Sequence, residues 1–127
     1  NPDIVTYGYP NMTNTSRDSS YLKNCNISAA FMSYGMYIQT ETGTTVDASE
    51  LGVKDIKVQI KNGIFWNTIA TSGGGSVTND HTFCGSCDCT NAVSGETYRI
   101  KCTHYAYIGG NYYHYDNTTD GFKYVKP

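Results

Sequence analysis

Residues 98–108 read YRIKCTHYAYI and alternate between two kinds of side chain. The first alternate set is apolar except for His104 and consists of Tyr98, Ile100, Cys102, His104, Ala106 and Ile108. The second set is polar or aromatic and consists of Arg99, Lys101, Thr103, Tyr105 and Tyr107. Alternation with a period of two over this length is typical of a β-strand that buries one face. The stretch therefore predicts a half-buried strand with Cys102 on its inward side.

A second alternating stretch, residues 25–31 (CNISAAF), also places a cysteine on its apolar side. Cys25 shares that side with Ile27, Ala29 and Phe31. Five cysteines allow fifteen two-bridge pairings, which the sequence alone does not select among. Two inward cysteines on strands far apart in sequence favour Cys25–Cys102, as a bond that pins two sheets together. Such a bond closes a loop of about 77 residues and is worth roughly 4 kcal/mol in the chain-entropy account.

The chain has 127 residues, enough for one domain with one core over residues 1–127. Charged residues make up 16% and the net charge is -2, so there is no electrostatic case for nucleic-acid binding. Twelve tyrosines and thirteen glycines favour strands and turns over helices. No apolar run reaches the roughly 18 residues that a membrane-spanning helix needs. We interpret the chain, which begins at Asn1 without a methionine or signal peptide, as a mature product.

Five cysteines in so short a chain favour an oxidising compartment, and we expect a secreted protein. The odd count leaves one thiol that is free, joins another chain or binds a ligand. The residues His81, Cys84, Cys87 and Cys89 form H-x-x-C-x-x-C-x-C, which has the ligand types of a tetrahedral zinc site. The favoured alternative is a second disulfide from Cys84 to Cys87 or Cys89, and C-x-x-C redox exchange is a third reading. We expect no cofactor.

The first half of the chain predicts strands of uneven clarity. Residues 1–20 predict an edge strand or a mobile arm. Residues 21–40 predict one or two strands with a break near residues 33–35. Residues 41–52 are polar without a clear period, and a single helical turn is the expectation at residues 47–51.

The clearest strand is at residues 56–61 (IKVQIK), and the Asn-Gly pair that follows it is the strongest short hairpin signal. With that pair as a two-residue turn, residues 64–71 return as the partner strand. Phe65 and Ile69 are then on the buried face, and Trp66 is on the opposite face.

The second half alternates short strands with turns: a glycine-rich loop at 72–76, a weak strand at 77–83, a Cys- and Gly-rich loop at 84–96, the strand at 98–108, its return at 112–115, a turn at 116–121 and a last strand at 122–125. The turn at 116–121 (DNTTDG) has calcium-loop residue types without the EF-hand spacing, and we interpret it as a plain turn. Several short strands, regular turn signals and no convincing helix predict an all-β, two-sheet antiparallel sandwich stapled by a disulfide.

The placement of Cys25 on an early strand, Cys102 on a late strand and Tyr98 shortly before it resembles immunoglobulin-like β-sandwich domains. The resemblance covers the architecture alone, because Trp66 comes later than the core tryptophan of those domains and Tyr98 lies four residues before Cys102 rather than two. The polar N-terminus, lysine-rich central hairpin and YRIK strand are also similar to small secreted single-domain β proteins of Gram-positive gut bacteria. Neither resemblance implies a catalytic residue.

Five tyrosines surround one predicted hairpin, namely Tyr105, Tyr107, Tyr112, Tyr113 and Tyr115. Tyrosines on an open face stack on sugar rings or anchor a protein partner at low entropy cost. The alternative is ordinary cross-strand packing, in which aromatic pairs stabilise the sheet. We name these five residues and Trp66 as candidates for a binding surface.

No serine or cysteine stands in a recognisable nucleophile motif, so we expect a non-enzymatic secreted or cell-surface domain. Its predicted partner is a protein or a glycan. Self-association into an extracellular assembly is also predicted, through the odd cysteine or through residues 4–9 added as a strand to a neighbour's sheet. The competing classes are a redox or zinc-binding protein that uses residues 84–89, and a small secreted toxin or bacteriocin-like protein.

Overall fold

The computed structural model describes residues 21–127 and, as backbone, the strand at residues 4–8. The described chain forms eight strands: β1 (Ile4–Gly8), β2 (Leu22–Met32), β3 (Gly35–Asn62), β4 (Phe65–Ser72), β5 (Gly75–Cys89), β6 (Thr97–Ile108), β7 (Asn111–Thr118) and β8 (Phe122–Lys123). All their pairings are antiparallel, and the described residues include no helix. The all-β prediction is therefore confirmed, in the form of one curled antiparallel sheet.

The sheet is built on β3, because four other strands pair with it. β2 pairs with its first half and β6 with its second half along one edge, while β5 and β4 follow the opposite edge. β7 and β8 extend the sheet from β6, and β1 extends it from β2. Curling brings β7 towards β2, where Asn117 Nδ2 donates a hydrogen bond of 3.1 Å to the Cys25 carbonyl oxygen. β1 lies at the outer edge of this sheet and pairs with β2 of its own chain.

The alternation at residues 98–108 is confirmed by the burial of β6. Its inward residues are buried from Tyr98 to Ala106, whereas Tyr107 is exposed. The inward residues of β2 are buried in the same core, and they are Cys25, Ile27, Ala29 and Phe31. Phe31 stacks on Phe122 with ring centroids 5.8 Å apart, which fixes the end of the chain against β2. Burying each such large apolar side chain stabilises the fold by about 1.5–3 kcal/mol.

Two segments predicted to be irregular are strands. The expected helical turn at residues 47–51 is wrong, because β3 continues through it. Thr40, Thr42 and Thr44 are buried in β3, and the hydroxyls of Thr42 and Thr44 have hydrogen-bond partners. β-branched polar residues thus form the strand where no apolar period marks it. The loop predicted at residues 84–96 is wrong in its first half, because β5 runs through Cys89 and pairs with β3 as far as Met36.

The hairpin between β3 and β4 is shifted by one residue from the prediction. Asn62 pairs with Phe65, so the turn consists of Gly63 and Ile64 rather than Asn62 and Gly63. Gly63 takes a φ of 64°, which glycine adopts without strain. A slip of one residue exchanges the faces of a strand, and Phe65 is 67% exposed, so the prediction that it is buried is wrong. A register shift further along β4 lets Ile69 pack against the core.

The five cysteines are free thiols in the structure. Cys25, Cys89 and Cys102 are buried, Cys87 is half-buried and Cys84 is exposed. The predicted Cys25–Cys102 disulfide is thus not formed in this structure. β5 also places Cys84 on the opposite face from Cys87 and Cys89, so a bridge from Cys84 to either residue requires β5 to distort.

Candidate functional site

Strands β6 and β7 place four aromatic rings on the side of the sheet that faces away from the core. Tyr107 pairs with Tyr112, and Tyr105 pairs with His114, which puts their side chains on one side. The centroid of Tyr112 lies 5.1 Å from that of Tyr107, 6.2 Å from that of Tyr105 and 5.4 Å from that of His114. We call Tyr105, Tyr107, Tyr112 and His114 the aromatic face.

Strand β3 adds a carboxylate and an ammonium group to the aromatic face. Glu50 accepts a hydrogen bond of 2.5 Å from the Tyr105 hydroxyl. Lys54 Nζ lies 4.8 Å from the ring centroid of Tyr112 and 5.4 Å from that of Tyr105. A hydrogen bond with Tyr112 raises the pKa of Lys54. The charged ammonium group is therefore held over two rings by cation–π attraction.

An open groove of about 610 Å³ borders the aromatic face and is lined by Ser49, Glu50, Lys54, Tyr105, Tyr107 and Gly110. Tyr107 is 40% exposed and Tyr112 is 36% exposed, whereas Tyr105 is 9% exposed. Tyr105 is thus an anchored ring, while Tyr107 and Tyr112 present ring surface to solvent. Such a site can stack against an apolar ligand face and hydrogen-bond its polar edge.

The other three residues proposed for binding lie elsewhere. Tyr113 contacts Tyr21, with ring centroids 4.9 Å apart. Tyr115 packs against the hydrophobic core. Trp66 lies under the guanidinium group of Arg99, 4.5 Å from the ring centroid, so one face of its ring is covered. Alternation along β7 separates Tyr113 and Tyr115 from Tyr112, because successive side chains point to opposite faces.

Sequence reasoning missed three members of this site, namely Glu50, Lys54 and His114. Glu50 and Lys54 belong to the part of β3 where no period marks a strand, so their register with β6 was hidden. The position of His114 could have been predicted, because it lies two residues after Tyr112 and residues two apart on a strand share one face.

A buried polar network lies on the other side of the sheet. Asn117 Nδ2 donates to the Cys25 carbonyl oxygen and lies 3.2 Å from Nε2 of His104. An amide nitrogen carries donors alone, so Nε2 is the acceptor and the imidazole proton resides on Nδ1. Nδ1 therefore donates to Thr42 Oγ1 at 2.8 Å, and the Thr42 hydroxyl donates to the Gly52 carbonyl oxygen at 3.0 Å. The network joins β2, β3, β6 and β7.

This network includes a thiol, because Cys102 Sγ lies 3.4 Å from His104 Nε2. Cys102, His104 and Asn117 are all buried. Burial raises the pKa of the Cys102 thiol far above its ordinary value and lowers the pKa of His104 to about 4. A neutral thiol beside a neutral imidazole provides no thiolate nucleophile. The network links four strands of the sheet.

The proposed zinc or redox segment is spread over β5. His81 is largely exposed, and its Nδ1 lies 3.3 Å from Asp47 Oδ1, while Cys87 and Cys89 turn towards the core. Within residues 21–127, no group of three or more His, Cys, Asp or Glu side chains is placed to hold a metal ion. Partial desolvation raises the pKa of both Cys84 and Cys87, which opposes the thiolate that disulfide exchange needs.

Comparison with known proteins adds no family assignment. No protein-family model, curated protein or solved structure matches the chain. The part of the chain that the structure describes contains no helix that is long and apolar enough to cross a membrane. Function must therefore be inferred from the aromatic face and the surfaces around it.

Proposed function

We propose that this protein is a non-enzymatic carbohydrate-binding domain that holds its glycan on the aromatic face. The observation that carries the proposal is the pair Tyr107 and Tyr112, whose ring centroids are 5.1 Å apart and which are both more than one-third exposed. Two adjacent rings that are exposed to solvent form an apolar platform, and exposed apolar patches mark interaction sites.

The chemistry of a sugar matches this platform. One face of a pyranose presents C–H groups that stack on an aromatic ring, and its edges present hydroxyls that hydrogen-bond to polar side chains. The groove supplies those polar partners next to the rings, through the carboxylate of Glu50 and the ammonium of Lys54. A carboxylate accepts hydrogen bonds from hydroxyls and an ammonium donates hydrogen bonds to them. The site can therefore bind a sugar hydroxyl as a donor or as an acceptor.

The rings are held in place before a ligand arrives. Tyr105 is fixed by its hydrogen bond to Glu50, and Lys54 lies over the rings of Tyr105 and Tyr112. A surface that is ordered in advance loses little conformational entropy on binding. Tyrosine, with two side-chain torsions, adds contact area at a small entropic cost.

The test is binding of the native protein to an array of glycans, followed by calorimetry on the best ligand. Tyr107→Ala and Tyr112→Ala should each weaken binding by about tenfold or more, because each removes one stacking contact. Their melting temperatures should stay near that of the wild type, since both rings are solvent-facing. Tyr34→Ala is the matched control, because Tyr34 is 43% exposed and bonds to Asp88 away from the aromatic face.

Four results would overturn the proposal. The first is that the protein binds no glycan on the array. The second is that Tyr34→Ala weakens binding as much as Tyr107→Ala does. The third is that the two tyrosine variants melt several degrees lower, which would assign the rings to packing. Capture of a protein partner that needs Tyr107 and Tyr112 would also reject the glycan in favour of a protein ligand.

We further propose an extracellular location and a Cys25–Cys102 disulfide in the protein made under oxidising conditions. Position supports the bond, because Cys25 and Cys102 lie in the same core. Both residues also contact the Asn117–His104 network, Cys25 through its carbonyl oxygen and Cys102 through Sγ. With that bond, β2 and β6 would be tied as the two halves of a sandwich. The immunoglobulin-like topology belongs to the same proposal.

A further inference from the structure

The turn between β3 and β4 exposes two large apolar side chains. Ile64 is 86% exposed and Phe65 is 67% exposed, which makes them the most exposed large hydrophobic residues of the described chain. They are consecutive in sequence, with Ile64 in the two-residue turn and Phe65 at the start of β4. We call Ile64 and Phe65 the apolar tip. Exposure of two such residues side by side is costly in water, which points to a partner that covers them.

The hairpin behind the apolar tip is basic. Residues 56–72 contain Lys57 and Lys61 and no carboxylate, and both lysines are exposed. Lys61 pairs with Trp66, and Trp66 stacks with a third cation, Arg99. The apolar tip is thus followed by aromatic and cationic side chains, which is the arrangement of an interfacial membrane anchor. In such an anchor the lysine stems lie along the apolar zone and their charges reach the lipid headgroups.

We propose that the apolar tip inserts into the interface of an anionic lipid bilayer, while Lys57 and Lys61 contact the lipid phosphates. The size of the tip favours a bilayer over a protein. A stable protein interface buries about 800 Å² on each partner, which two residues at a protruding turn do not supply. A bilayer needs a depth of only about 5–10 Å to cover apolar side chains, and its negative surface complements the basic hairpin.

This proposal is independent of the glycan-binding proposal. Ile60 pairs with Tyr98 at one end of β6, and Glu50 pairs with Tyr107 at the other. At about 3.3 Å per residue the apolar tip and the aromatic face are roughly 30 Å apart. Tyr107→Ala should therefore leave vesicle binding unchanged.

Trp66 makes the experiment direct, because it is the single tryptophan of the chain and lies two residues from Ile64. The native protein is mixed with vesicles of phosphatidylcholine that contain about one-third phosphatidylglycerol. We expect it to sediment with these vesicles and to shift its tryptophan emission to the blue. Pure phosphatidylcholine vesicles should bind it several-fold more weakly.

The variant Ile64→Ser/Phe65→Ser should bind the anionic vesicles at least about tenfold more weakly, because it removes the side chains that insert. Ile64→Ser alone should give an intermediate loss, and it keeps the test valid if the double variant folds poorly. Lys57→Gln/Lys61→Gln should remove the preference for anionic vesicles. The matched control is Val93→Ser/Val125→Ser, which removes two exposed valines elsewhere and should bind as the wild type does.

Two results would overturn the proposal. One is that the wild type neither sediments with anionic vesicles at low salt nor changes its tryptophan emission. The other is that the tip variants bind vesicles as tightly as the wild type and the valine control do. Either result would show that lipid does not cover the apolar tip.

Discussion

The buried imidazole of His104 should make the protein lose stability in mild acid. Its side chain is fully buried, and this burial lowers its pKa from 6.5 to about 4, although a hydrogen bond to the Glu41 backbone opposes the effect. In the unfolded chain the imidazole is solvated and titrates near 6.5. Between these two values the unfolded state binds more protons than the folded state. The free energy of unfolding therefore falls as the pH falls through this window.

The two pKa values set the magnitude of the loss. At about 1.4 kcal/mol per pKa unit, the whole difference corresponds to about 3 kcal/mol. About 2 kcal/mol of this is lost between pH 7 and pH 5, against a typical total stability of roughly 5–15 kcal/mol. The hydrogen-bond network explains why a second proton on the His104 imidazole is unfavourable in the folded protein. A second N–H on the ring would point from Nε2 to the Asn117 amide nitrogen 3.2 Å away, so two donors would face each other.

Urea denaturation at several pH values between about 7 and 5, where most carboxyl groups stay ionised, measures this slope. His104→Gln keeps an acceptor for Asn117 but does not titrate. The His104→Gln variant should be less stable than the wild type at neutral pH. Its free energy of unfolding should change little between about pH 7 and pH 5. His81→Gln, which removes a largely exposed histidine, is the comparison variant. Equal wild-type stability at both ends of the range, or an undiminished slope in His104→Gln, would refute the reasoning.

Two further predictions concern backbone packing and the thiols. Gly52→Ala should lower the free energy of unfolding by about 2 kcal/mol or more, because its Cβ would lie 2.1 Å from the Gly75 carbonyl oxygen. Gly73→Ala, which meets nothing within 4 Å, is the control, and equal denaturation midpoints for the two variants would contradict the expectation. In protein secreted from an oxidising compartment, alkylation in denaturant without reductant should label Cys84, Cys87 and Cys89 alone. Labelling of all five cysteines in the intact mass would reject the Cys25–Cys102 bond.

The sequence is informative about this fold where one face of a strand is apolar. β6 and β2 were predictable, because alternation places Ile100 and Ile27 among buried residues and their neighbours outside. β3 was not predictable between residues 41 and 52, because Thr42 and Thr44 are buried as polar side chains with hydrogen-bond partners. Pairing with neighbouring strands, which a single sequence does not display, stabilises such a segment.

The candidate site was partly predictable for a related reason. The tyrosine-rich hairpin was identifiable from composition, but a hairpin sorts its side chains by register, and one residue decides the face. The turn at Gly109 and Gly110 leaves Tyr107 opposite Tyr112, which sends Tyr113 inward. The apolar tip shows the same sensitivity, because an Asn-Gly signal placed the turn one residue early and hid the exposure of Phe65.

Because β3 is the shared partner of β2, β4, β5 and β6, it also governs the order in which the chain can fold. β2 and β4 adjoin it through short turns and can form local hairpins quickly. β6 comes from far along the chain, since Glu50 pairs with Tyr107. Closing that loop loses conformational entropy before any stabilising contact between β3 and β6 has formed. Folding should therefore be slow and limited by the arrival of β6. During synthesis, the second half of β3 has one open edge until residues 97–108 have emerged.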